Sequence, residues 1–315
     1  MARYIIWRLL SLVPTVIGVV TVVFLLLRLI PGDPAEFMLG DYATKEGLAR
    51  LRTQMGLDLP LYKQYAMFMA NWARGDMGRS LISKQPALKE VLSVFPFSIH
   101  LAVSGVFLAA VLGIPLGMIS ALRQNTYVDY SAIALALFGV SMPVFWTGIV
   151  AILLFAYYVP LFPATGLGDP DDWLDMLHHL VLPALTLGLA TTAYIARLTR
   201  SAMLEVIRQD YIRTARAKGV AERMVVIRHA LRNAMIPVLA LIGLTFGWAL
   251  GSSILIEAVF SRPGLGLLLI KAIFTRDYPV VQAGVGLLAL SFVLINLVVD
   301  LLFVFIDPRI RYTTK

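Results

Sequence analysis

The sequence predicts an all-α polytopic membrane protein: six transmembrane helices, a helical extracytoplasmic segment after the first, and a projecting cytoplasmic loop between the fourth and fifth. Three observations carry this. Of 315 residues, 59% are hydrophobic and only 15% charged, where soluble domains carry about 25% charged residues. The mean hydropathy is +0.81, which is more apolar surface than a soluble fold of this size can hide from water. The apolar residues also fall into six runs, each near the roughly 20 residues that a helix needs to cross a hydrocarbon core of about 30 Å.

The runs lie at 9–30, 97–121, 130–158, 179–199, 235–258 and 280–306. The first follows Arg3 and Arg8 and so has the outline of a signal peptide. Its apolar stretch is too long for one, and Pro31-Gly32-Asp33-Pro34 stands where small residues would mark cleavage, so it is read as an uncleaved span. In the third, Ser141-Met142-Pro143 interrupts the helix ladder, with Trp146 one turn on. That break is either a packing kink or backbone lining a path through the membrane. The fourth is diluted by Pro183, Thr186, Thr191 and Thr192. The fifth carries Gly243, Gly247 and Gly251 at four-residue spacing, and the second carries Gly113 and Gly117. Small residues on one helix face let backbones approach closely, within this chain or against a second membrane subunit.

Loop charges orient the spans. With the N-terminus inside, the cytoplasmic pieces 1–8, 122–129, 200–234 and 307–315 hold 14 of the 27 Lys and Arg. The outer loops hold none at 159–178 and three at 259–279, namely Arg262, Lys271 and Arg276. Segment 31–96 is too long to weigh in this rule, so both termini are expected in the cytoplasm. The net charge of +8 follows from the same asymmetry and gives no reason to invoke nucleic acid. Within 31–96, Leu61, Tyr65, Phe68, Met69 and Trp72 stand at helical spacing between Pro60 and the Gly75–Gly78 turn. The pattern predicts an amphipathic helix in a small outer cap. The chain thus divides into 1–30, a cap 31–96, a core 97–306 that includes the loop 200–234, and a tail 307–315.

Missing chemistry narrows the function. There are no cysteines, hence no disulfides, thiolate metal sites or Cys nucleophile. Gly is never followed by Lys, so there is no P-loop. Gly284-Val-Gly286-Leu-Leu-Ala289 matches a dinucleotide pattern in letters only, because no strand precedes it and the run is apolar throughout; helix packing is the expectation. His100, His178, His179 and His229 show no metal spacing, and no Ser/His/Asp set can be placed. The chain is therefore expected to be neither an enzyme nor a metal or cofactor binder. Charge inside the membrane is sparse: Arg28 near one end of the first span, and Asp300 one turn after Asn296 in the sixth. Asp300 is either functional or a structural partner of Arg309 or Arg311. An ion-driven carrier would be expected to carry more such groups.

The most informative stretch runs from Asp210 to Pro237 and has a short amphipathic helix on each side of Gly219. A bent cytoplasmic projection suits a groove on a soluble partner or an anionic lipid surface. It resembles the EAA loop of ABC importer permeases, whose pattern is E-A-A-x-x-x-G. Gly219 matches the Gly and Ala215 the second Ala, while Arg213 and Thr214 stand where Glu and Ala would be. R-T-A-R-A-K-G followed by H-A-L-R-N-A-x-I-P is similar to the dipeptide/oligopeptide/nickel branch of that family. So are Leu29-Ile30-Pro31-Gly32-Asp33-Pro34, Gly56-Leu57-Asp58-Leu59-Pro60-Leu61, Gly75-Asp76-Met77-Gly78-Arg79-Ser80, the run 257–266, Arg276-Asp277-Tyr278-Pro279-Val280-Val281-Gln282 and the run 307–312.

The resemblance implies the first of two permease subunits in an ATP-driven importer of the bacterial inner membrane. Its partners would be a second permease, two ATPase subunits holding ATP and Mg, and an extracytoplasmic substrate-binding protein. Coupling to the ATPase would fall to Arg213, Thr214, Ala215, Arg216, Lys218, Gly219 and Glu222, with Ser141, Met142, Pro143 and Trp146 as path candidates. The implied solute is a small peptide; glutathione-like peptides and nickel chelates belong to the same branch. The rival classes are a stand-alone secondary transporter or channel, and a membrane enzyme.

Overall fold

The computed structural model describes residues 2–29, 33–39, 44–54 and 56–306, with side chains over most of the stretch from Leu10 to Val299. The side chains of Arg3, Arg8, Pro31, Gly32 and Asp300 and the whole of 307–315 lie outside the described residues. Among those described, every element is a helix apart from one isolated bridge between Arg79 and Pro86. The order is α1 (Ala2–Leu29), α2 (Pro34–Leu39), α3 (Lys45–Gln54), α4 (Leu61–Ala73), α5 (Ala87–Leu122), α6 (Tyr127–Ser141) and α7 (Val144–Ile152). There follow α8 (Trp173–Ile207), α9 (Asp210–Ala217), the single turn α10 (Glu222–Met224), α11 (Arg232–Val259), α12 (Leu265–Phe274) and α13 (Tyr278–Ile306). Two π-helical segments, Leu153–Tyr158 and Val225–Leu231, extend α7 and lead into α11.

Among the described residues, four helical stretches are long and apolar enough to cross a membrane: Ala87–Leu122, Trp173–Ile207, Glu222–Val259 and Tyr278–Val299. The pair Tyr127–Ser141 and Val144–Tyr158 makes a fifth if counted as one span, and α1 contributes the shorter apolar run Val13–Leu29. Several helices overrun the expected spans. At 35 residues and 1.5 Å per residue, α8 is about 50 Å long, well beyond a core of about 30 Å. Residues 200–207, expected as the start of a loop, are therefore still helix.

Proline breaks a helix at one site and is absorbed at others. Pro183 and Pro237 sit inside the continuous α8 and α11. At Pro143 the chain turns by 104° instead, because Met142 has left the helical region (φ −88°, ψ 133°), the conformation that a following proline favours.

The chain forms two compact units, 1–97 with 264–293 and 98–263 with 294–315. In the first, α4 lays its aromatic stripe on α1. Phe24 stacks on Phe68 and meets Tyr65 edge-on, at 5.2 and 5.3 Å between centroids. Thr21 Oγ1 and Tyr65 Oη are 2.7 Å apart, and Arg28 Nε donates to Gln64 Oε1 at 3.2 Å. Gly284 and Gly286, the formal dinucleotide match, are packing positions: a methyl group at Gly284 would lie 2.6 Å from Leu269 Cδ2, and one at Gly286 would overlap the Trp72 ring. Buried Asp277 ties two of the resemblance blocks together, accepting from Ser80 Oγ at 2.5 Å and from the Leu81 N–H at 3.1 Å.

In the second unit α5 and α8 run parallel at close range. Gly105 faces Leu187, Gly113 faces Thr192 and Ile195, and Gly117 faces Ala196 and Thr199. The register rises together on both helices, as expected if the second and fourth spans cross in the same direction. Leu101, Val106, Leu182, Leu187, Leu250 and Phe260 build the core around this crossing. Asp172 starts α8 as an N-cap, accepting from the Leu174 and Asp175 N–H groups. At the other end of the crossing, fully buried Asp129 receives Arg200 Nε and Nη2 at 2.7 Å each, with further donation from Ser120 Oγ and the Asn125 N–H. That bidentate pair fastens the α5–α6 turn to α8.

Candidate functional site: the glycine turn and the broken helix

The turn after α8 is built from its buried residues outward. Gln209 in extended geometry separates α8 from α9. Ile212 then buries completely among Ala121, Ala202, Met203, Val225, Val226 and Ala230. Burying a side chain of this size contributes about 1.5–3 kcal/mol, enough to fix α9 against the end of α8 and the π segment. Asn233 Nδ2 donates to Tyr211 Oη at 2.6 Å and to the His229 carbonyl at 3.3 Å, closing the same contact from the other side.

Helix α9 ends in a left-handed turn. Gly219 has φ +78°, the Lys218 N–H donates to the Thr214 carbonyl at 3.0 Å, and the Val220 N–H donates to that of Ala215 at 3.2 Å. A methyl group at Gly219 would meet nothing within 4 Å. Glycine is required here by backbone conformation and not by space. Across the turn Arg216 Nη2 and Nε donate to Glu222 Oε1 and Oε2 at 2.6 and 3.0 Å. This hydrogen bond, more than charge alone, holds the Glu222 carboxyl below its ordinary range and raises Arg216 above its own.

The structure therefore gathers all seven proposed coupling residues on one turn and gives them different environments. Arg213, Thr214, Arg216, Lys218, Gly219 and Glu222 are exposed, while Ala215 is half-buried against the core beneath. The Thr214 hydroxyl donates to the Asp210 carbonyl, and Arg213 lies 3.6 Å from Asp210. Sequence reasoning missed Tyr211, Asn233 and the π segment. No spacing rule pairs Tyr211 with Asn233, and π-helix carries no distinctive sequence signal.

At the break between α6 and α7, Ser141, Pro143 and Trp146 are exposed and Met142 is half-buried. A cavity of about 530 Å³ lies beside them, walled by Phe138, Gly139, Thr147, Phe155, Thr186 and Thr192 among others. The path candidates border its wall residues in sequence without themselves lining it. All three threonine hydroxyls are spent on backbone carbonyls at Val144, Leu182 and Gly188, so the wall is apolar in effect. Of the α11 glycines, Gly243 receives Val299, 2.5 Å from where its methyl would be. Gly247 is buried, and Gly251 meets nothing within 4 Å in this chain.

Residues 113–312 match the family described as the binding-protein-dependent transport system inner membrane component, and residues 1–102 match its N-terminal membrane component. The chain belongs to that family. It is 42% identical, over 99% of its length and the whole of the relative, to the dipeptide transport system permease protein DppB of Alkalihalophilus pseudofirmus. It is 43% identical, over 99% of its length and the whole of the relative, to the glutathione transport system permease protein GsiC of Escherichia coli. Among solved structures, the MetNI methionine ABC transporter in an inward-facing conformation superposes with a TM-score of 0.60 at 19% identity, covering 70% of this chain and 98% of that one. A second crystal form of it gives 0.55. These two likenesses speak for the fold of the membrane core. The family assignment makes this an integral-membrane permease subunit.

Proposed function

We propose that the chain is one of two permease subunits of a peptide importer and that the turn at Gly219 receives the push of its ATPase partners. The observation that carries the reading is the continuity of α8 into a rigid, exposed turn. The helix runs unbroken to Ile207, is clamped near its end by Asp129–Arg200, and delivers α9 directly onto a buried Ile212 anchor. Closure of two ATP-bound partner subunits on that turn moves α8 and α11 together and opens the path to the outside; hydrolysis resets it. In this reading the chain has six spans with both termini cytoplasmic, a second homologous permease completes the path, and an extracytoplasmic binding protein delivers the solute. A small peptide is the favoured solute because the full-length relatives bear dipeptide and glutathione names.

Purification of tagged protein from its native membrane in mild detergent tests this. A second permease and two ATPase subunits should copurify, and liposomes holding the complex should take up a dipeptide only with ATP and binding protein. Uptake driven by an ion gradient through the lone chain would replace the reading with a secondary transporter.

A further inference from the structure

Helix α11 ends in a left-handed turn made by a residue other than glycine. Ser261 has φ +46°, the Ser261 N–H donates to the Ala258 carbonyl, and the Arg262 N–H donates to that of Glu257 at 2.9 Å. The pattern is a Schellman stop with serine in the position that glycine normally fills, at a local cost of about 1–2 kcal/mol. Its effect is to turn Arg262 inward, leaving the residue 2% exposed. Desolvating a guanidinium costs several kcal/mol unless its donors are matched. Here Nε and Nη1 find no acceptor and are closed to solvent, so the guanidinium must swing toward a ligand to use them. The charge of nearby Glu257 acts on Arg262 without a hydrogen bond to those two atoms, and Glu257 Oε1 accepts from Ser253 Oγ at 3.2 Å.

Arg262 also lines a cavity of about 380 Å³, with His100, Val103, Ser104, Trp173 and Leu177 among its walls. That volume is in the range of small-molecule sites, about 300–1,000 Å³. The walls are mostly apolar and aromatic, with His100, Ser104 and the buried Arg262 as the polar residues among them. A planar guanidinium with unspent donors is the group best matched to a carboxylate. In the topology proposed above, the cavity lies at the outer end of the spans, where a solute arrives.

We propose that this cavity receives the free carboxylate of the transported solute at Arg262. Resting on the peptide reading, it assigns Arg262 the C-terminal carboxylate of a small peptide, with Trp173, Val103 and Leu177 around the side chains. The complete transporter in liposomes, with its binding protein, is given a dipeptide and the same dipeptide as its C-terminal amide. For each, uptake by Arg262→Gln is divided by uptake by wild type, which cancels the preference of the binding protein. The acid should lose about tenfold more than the amide. Equal loss for both, or no loss, overturns the inference and leaves the peptide reading standing, because wild type still moves peptide. Failure of wild type to move either compound overturns the peptide reading and the inference with it. If Arg262→Gln does not assemble, Arg262→Lys decides: it keeps the charge without the planar fork, and a selective loss of about threefold for the acid is expected, while parallel losses contradict the site.

Discussion

At Gly117 the α5 backbone lies so close to α8 that a methyl group would overlap the Ala196 carbonyl oxygen, and the backbone there is ordinary helix. At Gly219 the reverse holds: a methyl group would meet nothing within 4 Å, but φ is +78°. The first glycine is demanded by a neighbouring helix and the second by the chain's own direction. Damage at the first should undo the packed membrane unit. Damage at the second should leave that unit whole and misdirect the turn proposed to meet the partners.

The largest expected effect is at the crossing. Gly117→Val should cost on the order of 3 kcal/mol or more, since backbone cannot yield as a side-chain tip can, and should abolish a monodisperse peak in detergent size exclusion. Gly117→Asn should fail as badly. Next, Gly219→Val should insert and assemble normally but lose roughly tenfold in binding-protein-stimulated ATPase activity, because a β-branched residue strongly resists this φ. Gly219→Asn, which tolerates left-handed backbone, should keep most of the activity. Asn thus separates the two glycines: destructive at 117, mild at 219.

Smaller effects sharpen the contrast. Arg216→Gln removes an exposed bridge worth about 0.2–1 kcal/mol and should lower stimulated ATPase activity about twofold. Exchanging the pair, Arg216→Glu with Glu222→Arg, should restore part of it. The same bridge sets a pH dependence. The Glu222 carboxyl lies below its ordinary 4.5 in the folded protein, so the bridge's contribution is present above that value and fades as pH falls through the lowered one. Coupling titrated from about pH 8 to about pH 6 should therefore be flat as far as this pair is concerned. The smallest effect is at Gly251, which meets nothing within 4 Å in this chain. Gly251→Ala should shift the stability of the isolated subunit by no more than about 1 kcal/mol, read by thermal melting. Loss of the copurifying permease in that variant would mark Gly251 as an intersubunit contact.

Hydropathy runs and loop charges made the helical membrane class legible, and Gly219 stood out because two amphipathic patterns meet there. Other features depend on partners that local pattern cannot supply. Pro143, Pro183 and Pro237 carry the same sequence signal, yet of the three only Pro143 ends its helix; Pro183 is buried in α8 and Pro237 is exposed on α11, and both helices run on. Asp129 and Arg200 are 71 residues apart, so neither announces the other. Arg216 and Glu222, six apart, meet because the turn between them reverses the chain, and helical spacing would not pair them. Arg262 read as one of three outer-loop bases, and only the fold reveals that it is buried.

The central claim is that the Gly219 turn meets the ATPase subunits. Because the chain has no cysteine, Arg213→Cys places a single thiol on that turn, and Tyr62→Cys places one on exposed α4 as a control. With a short thiol-directed cross-linker in native membranes, the thiol at 213 should capture an ATPase subunit, with a yield that changes on adding ATP, and the thiol at 62 should not. Capture at 62 and none at 213, with the complex intact, would contradict the account.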